Sequence, residues 1–418
     1  MFFSALESTA ERNLEVFSKT VNEFLYPDSS VRSVYASFDD ALKAINEDAK
    51  KKRMVFVIDE YPYLASADGS VSSVLQHAID HRFSKTDIFM IVCGSSMSFM
   101  ENQVLGHKSP LYGRRTAQFK VEPLSYLAAA EANPDLSPYT NALIYGITGG
   151  VPHYINKLSV RNDDDLGNAV KRNIVERTSY LFEEPANLMK QELREPNTYN
   201  AIISAVASGA SRLNDISTKT SIESTVCSKY LSVLMSLGII GRKEPVWGTT
   251  KNKSLYFIKD GFFNFWYRFI PDNMSGIMAG KTEQVYEKEI GPNMDQFMGM
   301  RFEEICAQYL TDFAKDLPFL IREIGSWWGS NPETKTQEEI DILAVNGNDA
   351  IFGECKWLSE PVGADVLKDL KRKSGLFRDT GRKYLYIFSR SGFTSGAKKM
   401  ADEDETIRLV SLADMYNP

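Results

Sequence analysis

The chain has 418 residues, 43% of them hydrophobic and 25% charged, with a formal net charge of −7. These are the proportions of an ordinary globular protein of two to four domains, with core enough to need no staples. The acidic balance excludes a whole-surface field for nucleic acid, so any DNA contact falls to local basic patches.

The opening Met-Phe-Phe-Ser-Ala-Leu-Glu has neither the basic region nor the sustained apolar stretch of a signal peptide. Residues 5–25 carry helical apolar spacing (Leu6, Leu14, Phe17, Val21, Phe24, Leu25), and 38–48 read as a second helix. Residues 54–60, Met-Val-Phe-Val-Ile-Asp-Glu, then read as a buried strand ending in two carboxylates. This is the Walker B arrangement of a P-loop ATPase, in which Asp59 holds Mg²⁺ and Glu60 polarises the attacking water. Its partner, a glycine-rich loop with Gly-Lys-Ser/Thr that cradles the phosphates of ATP, belongs earlier in the chain. Residues 1–53 contain no glycine.

A helix is expected near 71–83 and a second wholly apolar strand at 88–93, with a third short strand at 117–121. Doubly buried strands alternating with helices predict a parallel α/β sheet. Strand 88–93 runs into Gly94-Ser95-Ser96, where Ser95 stands at the position of a γ-phosphate sensor or simply caps the next helix. Gly113-Arg114-Arg115 offers an arginine finger for transferred phosphate charge, or two arginines on a solvated loop.

Residues 125–195 read as mainly helical. The segment 197–258 changes character: helices at 198–208 and 222–237, a helix start at Arg212, and two short strands at 239–243 and 255–259. Three helices and a two-stranded wing make a winged helix-turn-helix. An aromatic helix at Phe262–Phe269 follows, and 271–292 read as a linker. Within it, Gly276-Ile-Met-Ala-Gly280-Lys281-Thr282 imitates a phosphate loop, but its spacer is one residue short and no strand precedes it.

The final unit, 293–418, opens with a helix at 297–314. Residues 338–345 and 350–357 flank Asn346-Gly347-Asn348-Asp349, a strong hairpin signal. With Val345 opposite Ala350, Asp341 falls opposite Glu354, and Lys356 shares the face of Glu354. Facing carboxylates repel unless a cation lies between them, and hard oxygen ligands suit Mg²⁺ or Mn²⁺. A lysine beside that ion could orient or deprotonate a water. The alternative is a solvent-facing polar stripe. Lys368, Lys371, Arg372 and Lys373 lie just beyond, placed for phosphates or for solvent.

The pattern Asp341…Glu354-X-Lys356 resembles that of the restriction-endonuclease-like PD-(D/E)XK superfamily, with Ile340 where proline would complete the motif. Glu303 matches the glutamate that superfamily carries on its first helix. Taken end to end, the chain resembles the archaeal-type ATPase family of the STAND/AAA-like P-loop group. The resemblance rests on Val57-Ile-Asp-Glu-Tyr-Pro-Tyr-Leu, Gly94-Ser-Ser-Met-Ser-Phe-Met, Pro110-Leu-Tyr-Gly-Arg-Arg and Gly149-Gly-Val-Pro-His-Tyr. It continues through Glu195-Pro-Asn-Thr-Tyr, Phe265-Trp-Tyr-Arg-Phe and Glu354-Cys-Lys.

It implies a multidomain α/β protein. A partial parallel-sheet ATPase core (1–124) lacking its first strand and P-loop precedes a helical lid (125–195) and a winged helix (196–270). After the linker comes a nuclease-like domain (293–418). The resemblance further implies Asp59 as Mg²⁺ ligand, Glu60 as water-orienting acid, and Arg114 or Arg115 as the finger. A cytoplasmic ATPase relative is expected, with no membrane contact and ATP hydrolysis in doubt. Its winged helix and C-terminal domain would meet DNA. The alternative is a non-catalytic regulator whose winged helix binds DNA or a protein partner. Cys93, Cys227, Cys306 and Cys355 lack disulfide or metal spacing, in keeping with a reducing compartment.

Overall fold

The computed structural model describes residues 1–29, 33–96, 99–104, 106–193, 195–247, 254–331 and 334–418. Part of the stretch Gly94-Ser-Ser-Met-Ser-Phe-Met therefore lies outside the described residues, as does the tip of the wing. The chain divides into two compact units, Met1–Val121 and Glu122–Pro418.

The first unit is built on a parallel three-stranded sheet in the order β1 (Phe2–Ser4), β2 (Met54–Asp59), β3 (Ile88–Val92). Helices Ala10–Leu25 and Phe38–Ala49 start where Thr9 and Ser37 accept the N–H groups of Arg12 and Asp40, satisfying donors a helix start leaves open. Their apolar faces bury Phe17, Val21, Leu42 and Ile45 against Phe3, Phe56 and Ile58 of the sheet. Each such burial contributes about 1.5–3 kcal/mol.

Two expectations are corrected here, and one element was not foreseen. The first element is a strand, Phe2–Ser4; three residues are too few to show a period, so only the helix behind it was visible in the sequence. Residues 117–121 form no strand: Phe119 is 90% and Val121 95% exposed. The strands are not doubly buried either. Phe2, Val55 and Phe89 are 61%, 47% and 52% exposed on one sheet face, so continuous apolarity did not mean two covered faces.

The second unit begins with a helical region, Tyr126–Ala130 through Tyr180–Glu192. Helices Pro196–Ala207, Leu213–Thr220 and Ser224–Ser236 follow, with the antiparallel pair β4 (Ile240–Lys243) and β5 (Leu255–Ile258). Helix Gly261–Phe269, capped by Asp260, buries Phe262, Phe263, Phe265 and Phe269. Phe265 meets Phe297 of helix Met294–Gln308 edge-on at 5.5 Å. The segment 271–292 is helical rather than a linker, and it buries Ile277, Val285 and Ile290 in the main core. Its polar, glycine-containing surface masked three well-spaced apolar anchors.

The C-terminal sheet runs β10 (Ile407–Ser411), β9 (Lys383–Ser389), β8 (Asp349–Lys356), β7 (Gln337–Asn346), β6 (Glu323–Ser330). β6–β7 and β7–β8 are antiparallel, and the other two pairs are parallel. One sheet face packs with Phe302 and Ile305 of helix Met294–Gln308; the other packs with Leu367 and Leu370 of helix Ala364–Ser374. The β7–β8 turn needs a left-handed residue, and Gly347 supplies it with φ 71°.

Candidate functional site

The β7–β8 register pairs Val345 with Ala350 and Ile342 with Gly353. One step further along the same register, Asp341 stands across from Glu354. The ladder ends there, and Asp341 accepts the backbone N–H of Cys355 at 2.8 Å. On its other side β7 is bulged. Gly325 pairs with Leu343 and Trp327 with Ile340, so Asp341 and Ile342 together face the single residue Ser326. Residues two apart on a regular strand share a face; here Ile340 lies in one core and Ile342 in the other, which the bulge explains. A bulge re-aims a side chain, and this one falls at Asp341.

Glu354 is buried and held at both oxygens. Lys356 donates to Oε1 at 2.7 Å, and Lys373, reaching in from helix Ala364–Ser374, donates to Oε2 at 3.2 Å. Glu303 projects from helix Met294–Gln308 into the same field. Burial, reinforced by the charge of Asp341, pushes its carboxyl up to about 8. Burial and the charge of Glu354 push Asp341 up to about 6. Glu338, unassigned from the sequence, accepts a bidentate pair from Arg372, and Gln337 donates to Ser330. The spacing rules identified Asp341, Glu354 and Lys356. Lys373 sat within a basic run that equally described a solvated helix face.

Among the described residues, no group of three His, Cys, Asp or Glu side chains is placed to hold a metal ion. Mg²⁺ is commonly held by one or two carboxylates, the remaining positions going to water and phosphate oxygens. Asp341 and Glu354 offer two carboxylates for such an ion, which would have to displace at least one lysine from Glu354.

In the first unit, β2 ends at Asp59, which accepts from Ser4 Oγ at 3.2 Å and from Cys93 Sγ at 3.3 Å. Glu60 turns the chain from strand to helix with φ 50°, a left-handed conformation a non-glycine residue adopts at a cost. It accepts from Ser95 at both the hydroxyl (3.0 Å) and the backbone N–H (3.3 Å). The sheet thus brings Asp59, Glu60 and Ser95 to the carboxyl end of adjacent strands, where parallel sheets place ligands. Arg114 is engaged elsewhere: it binds Asp80 through Nε and Nη2, both at 2.8 Å, and the carbonyls of Pro110 and Tyr112. Sequence spacing gave no sign of Asp80, 34 positions away. Arg115 is exposed. Gly280-Lys281-Thr282 follows helix Met274–Met278 and starts a helix, with no strand before it.

Residues 1–158 match the model of an ATPase domain predominantly from Archaea. Residues 266–369 match a family described as archaeal and bacterial proteins of unknown function. An uncharacterized protein of Methanocaldococcus jannaschii is 34% identical over 347 residues, covering 81% of this chain and 76% of that one. A second uncharacterized protein of that organism is 32% identical over 57 residues, 14% of this chain and 55% of its own. Among solved structures, the Aeropyrum pernix Orc1 protein in complex with DNA aligns with TM-score 0.31 and 13% identity, over 69% of this chain and 77% of that one. Protein VC1899 from Vibrio cholerae aligns with TM-score 0.26 and 14% identity, over 91% and 80%. Both alignments are too loose to define a fold. Among the described residues no helix is long and apolar enough to cross a membrane.

Proposed function

The chain belongs to one family with the uncharacterized Methanocaldococcus jannaschii protein that is 34% identical to it, and its residues 1–158 match an ATPase domain predominantly from Archaea; from that premise we propose a division of labour within it. The first unit is the ATPase-family module, and the C-terminal domain carries a Mg²⁺- or Mn²⁺-dependent, nuclease-like site directed at DNA. The observation that carries this reading is the bulge at Asp341, which sets a half-buried carboxylate against the buried Glu354 beside Lys356 and Glu303. Two carboxyls raised by burial form a site that gains stability from an added cation.

Asp341 and Glu354 would hold the ion. Bound there, it would supply a Lewis acid for phosphate charge and lower the pKa of a water. Lys356, kept protonated by its pairing with Glu354, would orient that water and steady the phosphate. Glu303, once ionised, adds negative charge to the metal pocket. In the first unit, Asp59 would serve Mg²⁺ and Glu60 the attacking water, with Ser95 holding Glu60 in place until phosphate arrives. Arg115 is the finger this reading favours, because Arg114 is engaged by Asp80. Residues 1–53 contain no glycine and so no glycine-rich phosphate loop, and the proposal for the first unit is confined to these residues, without ATP hydrolysis.

The test is calorimetric titration with Mn²⁺ at pH 8. Binding by the wild type that disappears in Asp341→Ala and in Glu354→Ala supports the assignment. Equal binding by wild type and both variants would remove it and leave the regulatory alternative, in which the winged helix acts alone on DNA or on a protein partner.

A further inference from the structure

β6 is one of the two edge strands of the C-terminal sheet, β10 being the other. An open edge is a liability that proteins cover, and here the chain covers it with its own wing. The backbone N–H of Val246 donates to the carbonyl of Ser326 at 3.0 Å. Ser326 is the residue opposite the Asp341–Ile342 bulge. The Val246 side chain is buried in the core formed by Ile340, Leu343 and Phe352. Glycine at 325 permits this approach, since a Cβ there would lie 2.8 Å from Val246 Cγ2. Trp247 meets Phe377 edge-on at 6.4 Å. Four residues before Trp247, Lys243 leaves β4 and sets its ammonium 5.7 Å from the centre of the Trp328 ring. Trp328 is the cross-strand partner of Glu339, two residues before Asp341. The wing therefore holds the strand edge beside Asp341 and brings one positive charge over it. That charge also acts on Glu303, opposing its rise.

We propose that residues 240–247 are an intramolecular strap rather than a DNA-reading wing, and that the strap delivers Lys243 to the acidic site as a contact for substrate phosphate. The second half of this rests on the nuclease-like reading given above; the first half does not. Wing docking then decides whether the site is complete, which couples the winged helix to the chemistry of the C-terminal domain.

The experiment uses the full chain, Lys243→Met, Lys243→Arg and Val246→Asp. Hydrogen exchange at the Val246 amide reads the strap directly. Slow exchange in wild type and fast exchange in Val246→Asp are expected; fast exchange in wild type overturns the strap. Affinity for a short DNA duplex with Ca²⁺, measured across salt concentrations, reads Lys243. Lys243→Met should weaken binding across sequences and reduce the salt slope by about one, as for the loss of one phosphate contact, and Lys243→Arg should restore it. Wild-type DNA binding that Lys243→Met leaves unchanged overturns the role of Lys243 and spares the nuclease-like reading. No DNA binding by wild type overturns both. Because Lys243 is partly exposed, its variants test the idea even if Val246→Asp fails to fold.

Discussion

Asp341 and Glu354 face each other one step beyond the last paired residues of the β7–β8 hairpin, and neither is left to repel the other unaided. Asp341 takes the N–H of Cys355, and Glu354 takes the ammonium groups of Lys356 and Lys373. The chain has placed two carboxylates together and then supplied enough compensation to fold around them.

Stability should fall as pH rises through the window these groups define. A carboxyl raised in the folded state binds its proton more tightly there than in the unfolded chain. Its contribution is therefore most favourable below the unfolded value, which is 4.5 for Glu303, and is lost progressively up to about 8. The slope is at most about 1.4 kcal/mol per pH unit for each group. Glu303→Gln should flatten the profile and be more stable than wild type at pH 8, measured by denaturant melts between pH 4.5 and 8.5. A wild-type profile already flat over that range contradicts the assignment.

Metal affinity should run the other way. Protons compete with the ion for Asp341, held at about 6. Mn²⁺ binding should accordingly strengthen from pH 5 to pH 8 and release protons, which calorimetry in buffers of different ionisation enthalpy detects. An affinity independent of pH would place the ion elsewhere.

Glu354 should need both lysines. Lys373→Met leaves a buried carboxylate with only Lys356, and leaving a buried group short of a partner costs about 1–3 kcal/mol. Removing both lysines together should cost more than the sum of the single changes in urea melts, because the last compensating charge is gone. Strict additivity would show that the lysines do not share Glu354.

Nucleotide should bind poorly. The carboxylates of Asp59 and Glu60 face no phosphate cradle among residues 1–53, and calorimetry with Mg-ATP should give no measurable heat. Micromolar affinity would overturn this and return attention to Gly280-Lys281-Thr282.

How much of this was legible in the sequence depended on the range of the signal. The β7–β8 register could be read because Asn346-Gly347 fixes the turn and a period of two fixes every pair behind it. Asp59 and Glu60 could be read because an apolar run ends there abruptly. The bulge at Asp341 could not, since it shows only when β6 is laid alongside. Nor could Lys373 or Asp80, whose partners lie 19 and 34 positions away. Strand β1 was too short to carry a period. The packed helices of 271–292 were hidden because Ile277, Val285 and Ile290 are spaced too widely among polar residues to read as one face.

The most direct test of the central claim is DNA cleavage by the purified full chain on supercoiled, linear and single-stranded substrates, with Mg²⁺ and with Mn²⁺, beside Asp341→Ala. Metal-dependent cleavage by the wild type that is abolished in Asp341→Ala is the predicted result. Absence of cleavage by the wild type on all three substrates with both ions, or cleavage that survives Asp341→Ala, would contradict it.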